Sequence, residues 1–462
     1  MSTLTVSLRR APLALTIAAA GLIIATAPPL GTPPIDVRAG ALIVGTIGLW
    51  ASGLLAESLT ALIFFTVAML ARIAPPEVVF SGLVSSAFWL IFSGLIIGAA
   101  IKQSGLGDRI AARLATALGQ SYRGAMIGVV LFGLTMAFLM PSAMGRIALM
   151  LPILAALAEH LGYARQSRAC RGLILGGVFG TYLPSSAILP ANVPNNVLAG
   201  IVETTFGRPI AFGDYLLVHF PILGLAKTVM LIAVLLIFYR GEARAKPTAR
   251  TIPPMSAEER RLALLLAVAL LFWATDSLHH ISPAWIGMAL AVTCLFPPLR
   301  LLPRKALQTI NLEPVFYVAG IISLGALATH SGLGEQLARW VLTLLALPSH
   351  RPVANFADLC GLSSVVGLLT TLPGVPAVMT PLTTAFAAAS GLTPATLLIA
   401  QVVGFSTVIL PYQAPPLVMA MQLADLPRRD MTVLCLITAA LTVLILWPLD
   451  ILWLEWLGRL AM

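Results

Sequence analysis

The sequence predicts an all-α integral membrane protein on three grounds. It carries too little charge for a water-facing surface, its apolar runs have spanning length, and Pro and Gly break two of those runs in the middle. Of 462 residues, 59% are AVILMFWYC and only 10% are charged, with a mean hydropathy of +0.96. Soluble chains average about 45–50% apolar and about 25% charged residues, so most of this surface faces something other than water. At about 20 residues per spanning helix plus connections, the length admits at most about fifteen spans. The net charge of +10, from 28 Lys+Arg against 18 Asp+Glu, would suggest a polyanionic partner for a soluble protein. Here its distribution is a topology signal, and no nucleic-acid partner is implied. Cys170, Cys294, Cys360 and Cys435 lie far apart with no CxxC pair and read as small membrane hydrophobes.

Residues 1–37 are expected to form a first transmembrane helix. Arg9 and Arg10 before ALTIAAAGLIIATAPPL imitate a signal peptide, but the many later spans favour a retained helix. Apolar windows follow at 39–55, 58–73, 85–103, 169–191, 217–239, 260–276, 284–298, 311–330, 392–412 and 430–456, each bounded by charge, Pro or Gly. That makes about eleven spans. Two further stretches, 123–160 and 353–390, are apolar at both ends and broken at Pro141-Ser142-Ala143-Met144-Gly145 and at Thr371-Leu372-Pro373-Gly374-Val375-Pro376. Hydrocarbon tolerates such a break only where protein or a watery cavity covers the freed backbone groups, so each stretch is expected to be a re-entrant hairpin.

With the N-terminus cytoplasmic, 20 of the 28 basic residues fall in inner loops and ends, as the positive-inside rule requires of a multi-pass protein of the cell membrane, here a bacterial inner membrane. The Pro-rich basic segment 241–259 reads as a cytoplasmic linker between halves 38–240 and 260–462. The halves share anchors in one order. SGLG begins at Ser104 and Ser331, Pro152 answers Pro381, and Pro194 answers Pro416, at offsets of 227, 229 and 222. The two SGLG segments lie on opposite sides by this topology. Opposed related halves mark inverted-repeat transporters, whose substrate sites sit near the midplane between broken helices.

The runs FWLIFSGLIIGAAIKQSGLGDRIAARL, ALMLPI, NVPNNVLAGI, FGRPIAFGDYL and LPYQAPPLVMAM make the chain resemble the divalent anion:sodium symporters of the ion transporter superfamily, from about residue 38 to 456. The resemblance implies a homodimeric elevator carrying a small anionic substrate such as a di- or tricarboxylate or sulfate, usually with sodium, and no enzyme activity. In that family each hairpin tip carries Ser-Asn-Thr ten residues before the Pro of an L-P-I run, and each following broken helix ends in Thr-Pro-Pro-Asn. Here the first tip is Ser142-Ala143-Met144, keeping only the Ser, and the second is Thr371-Leu372-Pro373, keeping only a hydroxyl. The first Thr-Pro-Pro-Asn aligns with Asn192-Val193-Pro194-Asn195 and the second with Ala414-Pro415-Pro416-Leu417. These positions mark Ser142, Ala143, Met144, Asn192, Asn195, Thr371, Pro373, Ala414 and Pro415 as candidate substrate residues, with Ser142, Asn195 and Thr371 as candidate cation ligands.

The physics behind such motifs is general. A break exposes the amides and positive dipole end of a half-helix toward a cavity, suiting a carboxylate or sulfate. Carbonyl and side-chain oxygens of the opposing half-helix suit a cation. Losing both tip Asn residues thins the sodium chemistry, leaving the coupling ion open between sodium, a proton and a counter-anion. Arg146, four residues after Ser142, is the basic residue that topology does not explain. It either binds a carboxylate or sulfonate bidentately, or turns from the cavity to pair with backbone carbonyls. Asn196 is expected to cap a half-helix, and Lys227 to snorkel along the scaffold. No Asp or Glu falls in the breaks, and no zinc spacing, phosphate loop, nucleophile elbow or nucleotide domain is found. The competing functions are export of an oxyanion or neutral solute, which the apolar second tip suits, and a non-transporting membrane receptor or assembly partner.

Overall fold

A computed structural model describes residues 37–460, apart from 53–54, 108, 111–112, 114–120, 165–166, 242–253, 280 and 346. The expected first helix and most of the linker lie outside the described residues. Every regular element among the described residues is helical. In chain order the main helices are α1 (Val37–Ser52), α2 (Glu57–Leu70), α3 (Ser86–Ser104), α4 (Tyr122–Leu139), α5 (Ala143–His160), α6 (Arg168–Tyr182), α7 (Val193–Phe206) and α8 (Phe212–Phe238). Then follow α9 (Ala257–Ala274), α10 (Pro283–Leu295), α11 (Glu313–His330), α12 (Leu333–Leu344), α13 (Pro352–Leu369), α14 (Gly374–Met379), α15 (Thr383–Ser390), α16 (Pro394–Phe405), α17 (Pro415–Leu423) and α18 (Arg428–Trp456).

Local chemistry sets these boundaries. Ser85, Ser121, Ser142, Ser167, Asn192 and Thr393 each accept a backbone N–H from three residues on, starting α3 to α7 and α16. Ser256 and Glu259 form a full capping box, so α9 begins at Ala257, inside the last residues of the expected linker. α7 ends on Gly207 at φ 67°, a left-handed C-cap that only glycine adopts without strain.

The order of elements repeats. A long helix (α3, α11), a helix–break–helix pair (α4–α5, α13–α15), a span unwound in its middle (α6–α7, α16–α17) and a helix with a π turn (α8, α18) follow one another in each half. Both pairs fall on the stretches the Pro/Gly breaks marked. In both halves the first arm packs on the following span through glycine. A Cβ on Gly133 of α4 would lie 2.5 Å from the Thr181 nitrogen, and one on Gly404 of α16 would lie 2.7 Å from the Cys360 carbonyl oxygen of α13. Small residues let apolar helices approach where water exclusion between them supplies no drive.

α3, α4, α8, α13 and α18 are long and apolar enough to cross a membrane. Leu70, Val229, Ile237, Leu264, Leu271, Leu444 and Trp456 are exposed on the outer helices, as lipid contact requires. The π turns, Phe220–Ala226 in α8 and Thr442–Leu446 in α18, sit beside Pro221 and Pro448, where a lost helical hydrogen bond is the usual cause of such a bulge.

Candidate functional site

A cavity of about 130 Å³ opens where the breaks converge. The α4–α5 turn contributes Ser142, Ala143 and Met144, the start of α7 contributes Asn192, Val193 and Asn196, and the second half contributes Pro373, Pro415 and Pro416. Tyr317 of α11 lines this cavity and also a smaller one of about 30 Å³ that holds Thr370 and Thr371. Its ring stands edge-on to Trp50, with centroids 5.5 Å apart.

Most of the converging segments are helix starts. Ser142 Oγ accepts the Gly145 amide at 3.2 Å, and Ala143 and Met144, whose first-turn amides have no intrahelical acceptor, line the cavity at the start of α5. Asn192 Oδ1 accepts the Asn195 amide at 3.1 Å, so the α7 cap is Asn192. This corrects the expectation for Asn196, which lines the cavity instead. Pro194, Pro415 and Pro416 occupy first-turn positions, where a missing N–H costs nothing. The anion-binding capacity therefore concentrates at α5 and at the side chains of Ser142, Asn192 and Asn196.

The remaining sequence-predicted residues sit behind this lining. Asn195 is fully buried, and its amide nitrogen donates to the Ser185 and Ile188 carbonyls at 3.1 and 2.9 Å. Ala414 is buried at the start of α17. Thr371 lies in the smaller cavity, against Tyr317. The side-chain oxygens of Asn195 and Asn196 are buried without partners.

Arg146 is also fully buried and absent from the cavity lining. Its Nε donates to Thr181 Oγ1 at 2.8 Å, and its terminal nitrogens donate to the carbonyls of Met140, Ala191 (2.8 Å) and Thr181 (3.2 Å). The arginine thus ties the α4–α5 turn to both sides of the unwound stretch between α6 and α7. Of its two expected uses, this arrangement is pairing with carbonyls.

Sequence reasoning missed two carboxylates. Glu57, half-buried at the start of α2, and Glu313, exposed at the start of α11, both line the cavity. Ser58 Oγ donates to Glu313 Oε1 at 3.2 Å, and the two carboxylates repel one another. Charges at span ends are ordinary, so only their convergence in space singles them out. Lys227 departs from expectation as well. It does not snorkel: it is 1% exposed, and its Nζ donates to the Ser406 carbonyl at 2.7 Å.

Known proteins are similar to this chain in sequence or in fold. A "Membrane protein" of Cupriavidus necator is 27% identical over 289 residues, 60% of this chain and 56% of that protein. The inner membrane protein YbhI of Escherichia coli K12 is 24% identical over 292 residues, 60% of each. An L-tartrate/succinate antiporter of Escherichia coli K12 is 26% identical over 227 residues, 46% of each. The matches thus span about half to three fifths of the length of these curated relatives. In fold, the chain is similar to the Alcanivorax borkumensis YdaH transporter (TM-score 0.55, 15% identity, 84% of this chain and 89% of that one). It is similar also to Neisseria gonorrhoeae MtrF, described within a class of antimetabolite efflux pumps (TM-score 0.56, 13% identity, 96% and 94%). The profile of the family described as sodium:sulfate symporter transmembrane region matches residues 8–460. With nearly the whole chain inside that match, this protein belongs to the sodium:sulfate symporter transmembrane-region family, a family of membrane transporters.

Proposed function

We propose that the chain is a secondary active transporter of a small anion of the dicarboxylate, tricarboxylate or sulfate type. The carrying observation is the cavity itself, in which the first residues of α5 and the polar residues Ser142, Asn192 and Asn196 meet the proline-lined breaks of the second half. The positive end of a helix N-terminus favours an anion, and one relative is named as an L-tartrate/succinate antiporter. Ala143, Met144, Pro373 and Pro415 shape the pocket, while Arg146, Asn195 and Ala414 hold its walls in place. The two helix–break–helix pairs are re-entrant hairpins of an inverted repeat, with the N-terminus cytoplasmic. They move with the unwound spans as the transport unit of an elevator, within a homodimer.

Glu57 and Glu313 at the cavity oppose entry of a bare dianion, so a cation or proton accompanies the substrate. The partnerless oxygens of Asn195 and Asn196 support a residual cation position. The same carboxylates favour a second reading, export of a neutral or cationic solute. Thermal shift of the purified protein against succinate, tartrate, sulfate and neutral amphiphiles, followed by uptake into proteoliposomes, separates the two. The anion reading expects stabilisation by at least one dianion and saturable uptake of it. Binding of neutral solutes alone would overturn it.

A further inference from the structure

Away from the cavity, the last helices of the two halves meet at a buried pair of opposite charges. Lys227 follows the π turn of α8 and Asp450 follows that of α18. They are 1% and 0% exposed. Lys227 Nζ donates to the carbonyl of Ser406 at 2.7 Å and to its hydroxyl at 3.2 Å. Both carboxylate oxygens of Asp450 are buried without a hydrogen-bond partner. The ionisable groups facing Asp450 from packed elements are Lys227 and the Cys360 thiol of α13, and each interacts with it electrostatically.

A pair that merely fixed helix register would be closed by hydrogen bonds, because an unbonded buried carboxylate carries a large desolvation penalty. Here the lysine's observed hydrogen bonds run to Ser406, and the carboxylate has none. Ser406 is the residue at which α16 ends, before the unwound stretch that leads to Pro415 and Pro416 at the cavity. The neighbouring Thr407 hydroxyl accepts from Trp447 Nε1 at 3.2 Å, three residues before Asp450. Both π-turn helices therefore grip the same break, at consecutive residues.

We propose that Asp450, with Lys227, forms a proton-binding site that couples proton occupancy to the second unwound span. Uptake forms one O–H bond on the carboxylate and breaks no covalent bond, taking the pair from net zero to a charge of +1. The lysine, freed of its counter-charge, is left with the Ser406 carbonyl and hydroxyl, and the positive charge is added at the end of α16, where the unwound stretch that leads to the cavity begins. A proton on Asp450 and an anion in the cavity stabilise each other, which is what co-transport of the two requires. The site deepens the transport reading and rests on it only for the word coupling.

Infrared difference spectra of the reconstituted protein on acidification test the site without transport. The wild type should gain the high-frequency C=O band of a carboxylic acid free of hydrogen bonds, and Asp450→Asn should lose it. Absence of the band throughout the folded pH range overturns the proposal. In proteoliposomes, an inward proton gradient should raise wild-type succinate uptake severalfold. Asp450→Asn should abolish that stimulation yet keep its succinate thermal shift, and stimulation that survives Asp450→Asn also overturns the proposal. If the single variant does not fold, Lys227→Gln/Asp450→Asn, which keeps the pair neutral, replaces it, and the wild-type band decides on its own if neither folds. A protein that shows the band but neither binds nor moves any anion retains the proton site and refutes the transport reading.

Discussion

Arg146 Nε donates to Thr181 Oγ1 at 2.8 Å while another nitrogen of the same guanidinium reaches the Thr181 carbonyl at 3.2 Å. Thr181 lies on α6, one residue before its end, and the Ala191 carbonyl on the far side of the unwound stretch accepts from Arg146 as well. A single cation thereby satisfies backbone groups that the break between α6 and α7 frees. This is the role that water would fill at a surface and that protein must fill at depth.

Replacing Arg146 by Ala leaves three buried carbonyls and a hydroxyl without their donor. At about 1–3 kcal/mol per unmade buried bond, the loss of four is at least about 4 kcal/mol. The expected outcome is a sharply lower Tm or loss of monodisperse protein in detergent. Arg146→Lys, with three donors on a point charge, should recover part of that stability. Its dianion affinity should stay within about threefold of wild type, under about 1 kcal/mol. A folded Arg146→Lys variant that loses affinity a hundredfold would show that the guanidinium touches substrate.

Ser142 both caps α5 and lines the cavity. Ser142→Ala should cost about 1 kcal/mol of stability through the cap and lower dianion affinity by up to about tenfold, or 1.4 kcal/mol. Ser142→Thr keeps the cap oxygen and should restore stability. Isothermal titration alongside thermal melts separates the two effects, and unchanged affinity in Ser142→Ala would remove this hydroxyl from the site.

The membrane class, the two broken pairs and the convergence of their breaks were legible in the sequence, because Pro141, Pro373 and Pro376 interrupt apolar runs that would otherwise be continuous helices. The partners of Arg146 were not. Thr181 and Ala191 lie 35 and 45 residues away, and local spacing does not tell a substrate arginine from one that staples backbone. Glu57 and Glu313 stayed hidden because each opens a helix, a position where an acid is favoured by the dipole alone. Asp450 escaped notice within WPLDILWLEW near the polar end of the last span. It is buried just beyond the π turn of α18, and a π turn shifts the faces that follow it in a way a regular 3.6-residue period does not convey.

Neutralising the cavity carboxylates should favour anions. Each unit charge removed within several ångströms of a dianion lowers repulsion by about 1 kcal/mol or more in a partly solvated site. Glu57→Gln/Glu313→Gln, which removes two such charges, should therefore bind dianions about thirtyfold tighter, about 2 kcal/mol, with weaker dependence on pH or added cation. Titration calorimetry across pH and sodium concentration checks this. Weaker binding by the double variant would mean that the acids hold a cation needed by the substrate.

Arg109 grips Glu259 with two hydrogen bonds, Nε to Oε1 at 2.9 Å and a terminal nitrogen to Oε2 at 2.7 Å, and the same arginine donates to the Pro254 carbonyl at 3.1 Å. Glu259 lies in the first turn of α9, ahead of the apolar run. Its hydrogen bonds with Arg109, helped by that with the Ser256 amide, hold the carboxyl below the usual glutamate range against the opposing effect of burial. A depressed folded-state value means that the unfolded chain binds the proton first. The pair's stabilisation is thus complete above the ordinary glutamate pKa of about 4.3 and is lost as pH falls through the lower folded value. Thermal melts should show wild type losing its advantage over Glu259→Gln on acidification from neutral pH, with the two curves converging at the acid end. At neutral pH, Glu259→Gln should be about 1.5–3 kcal/mol less stable, the worth of hydrogen bonds to a charged group. A constant gap between the two proteins across that range would mean that Glu259 acts only as a helix cap.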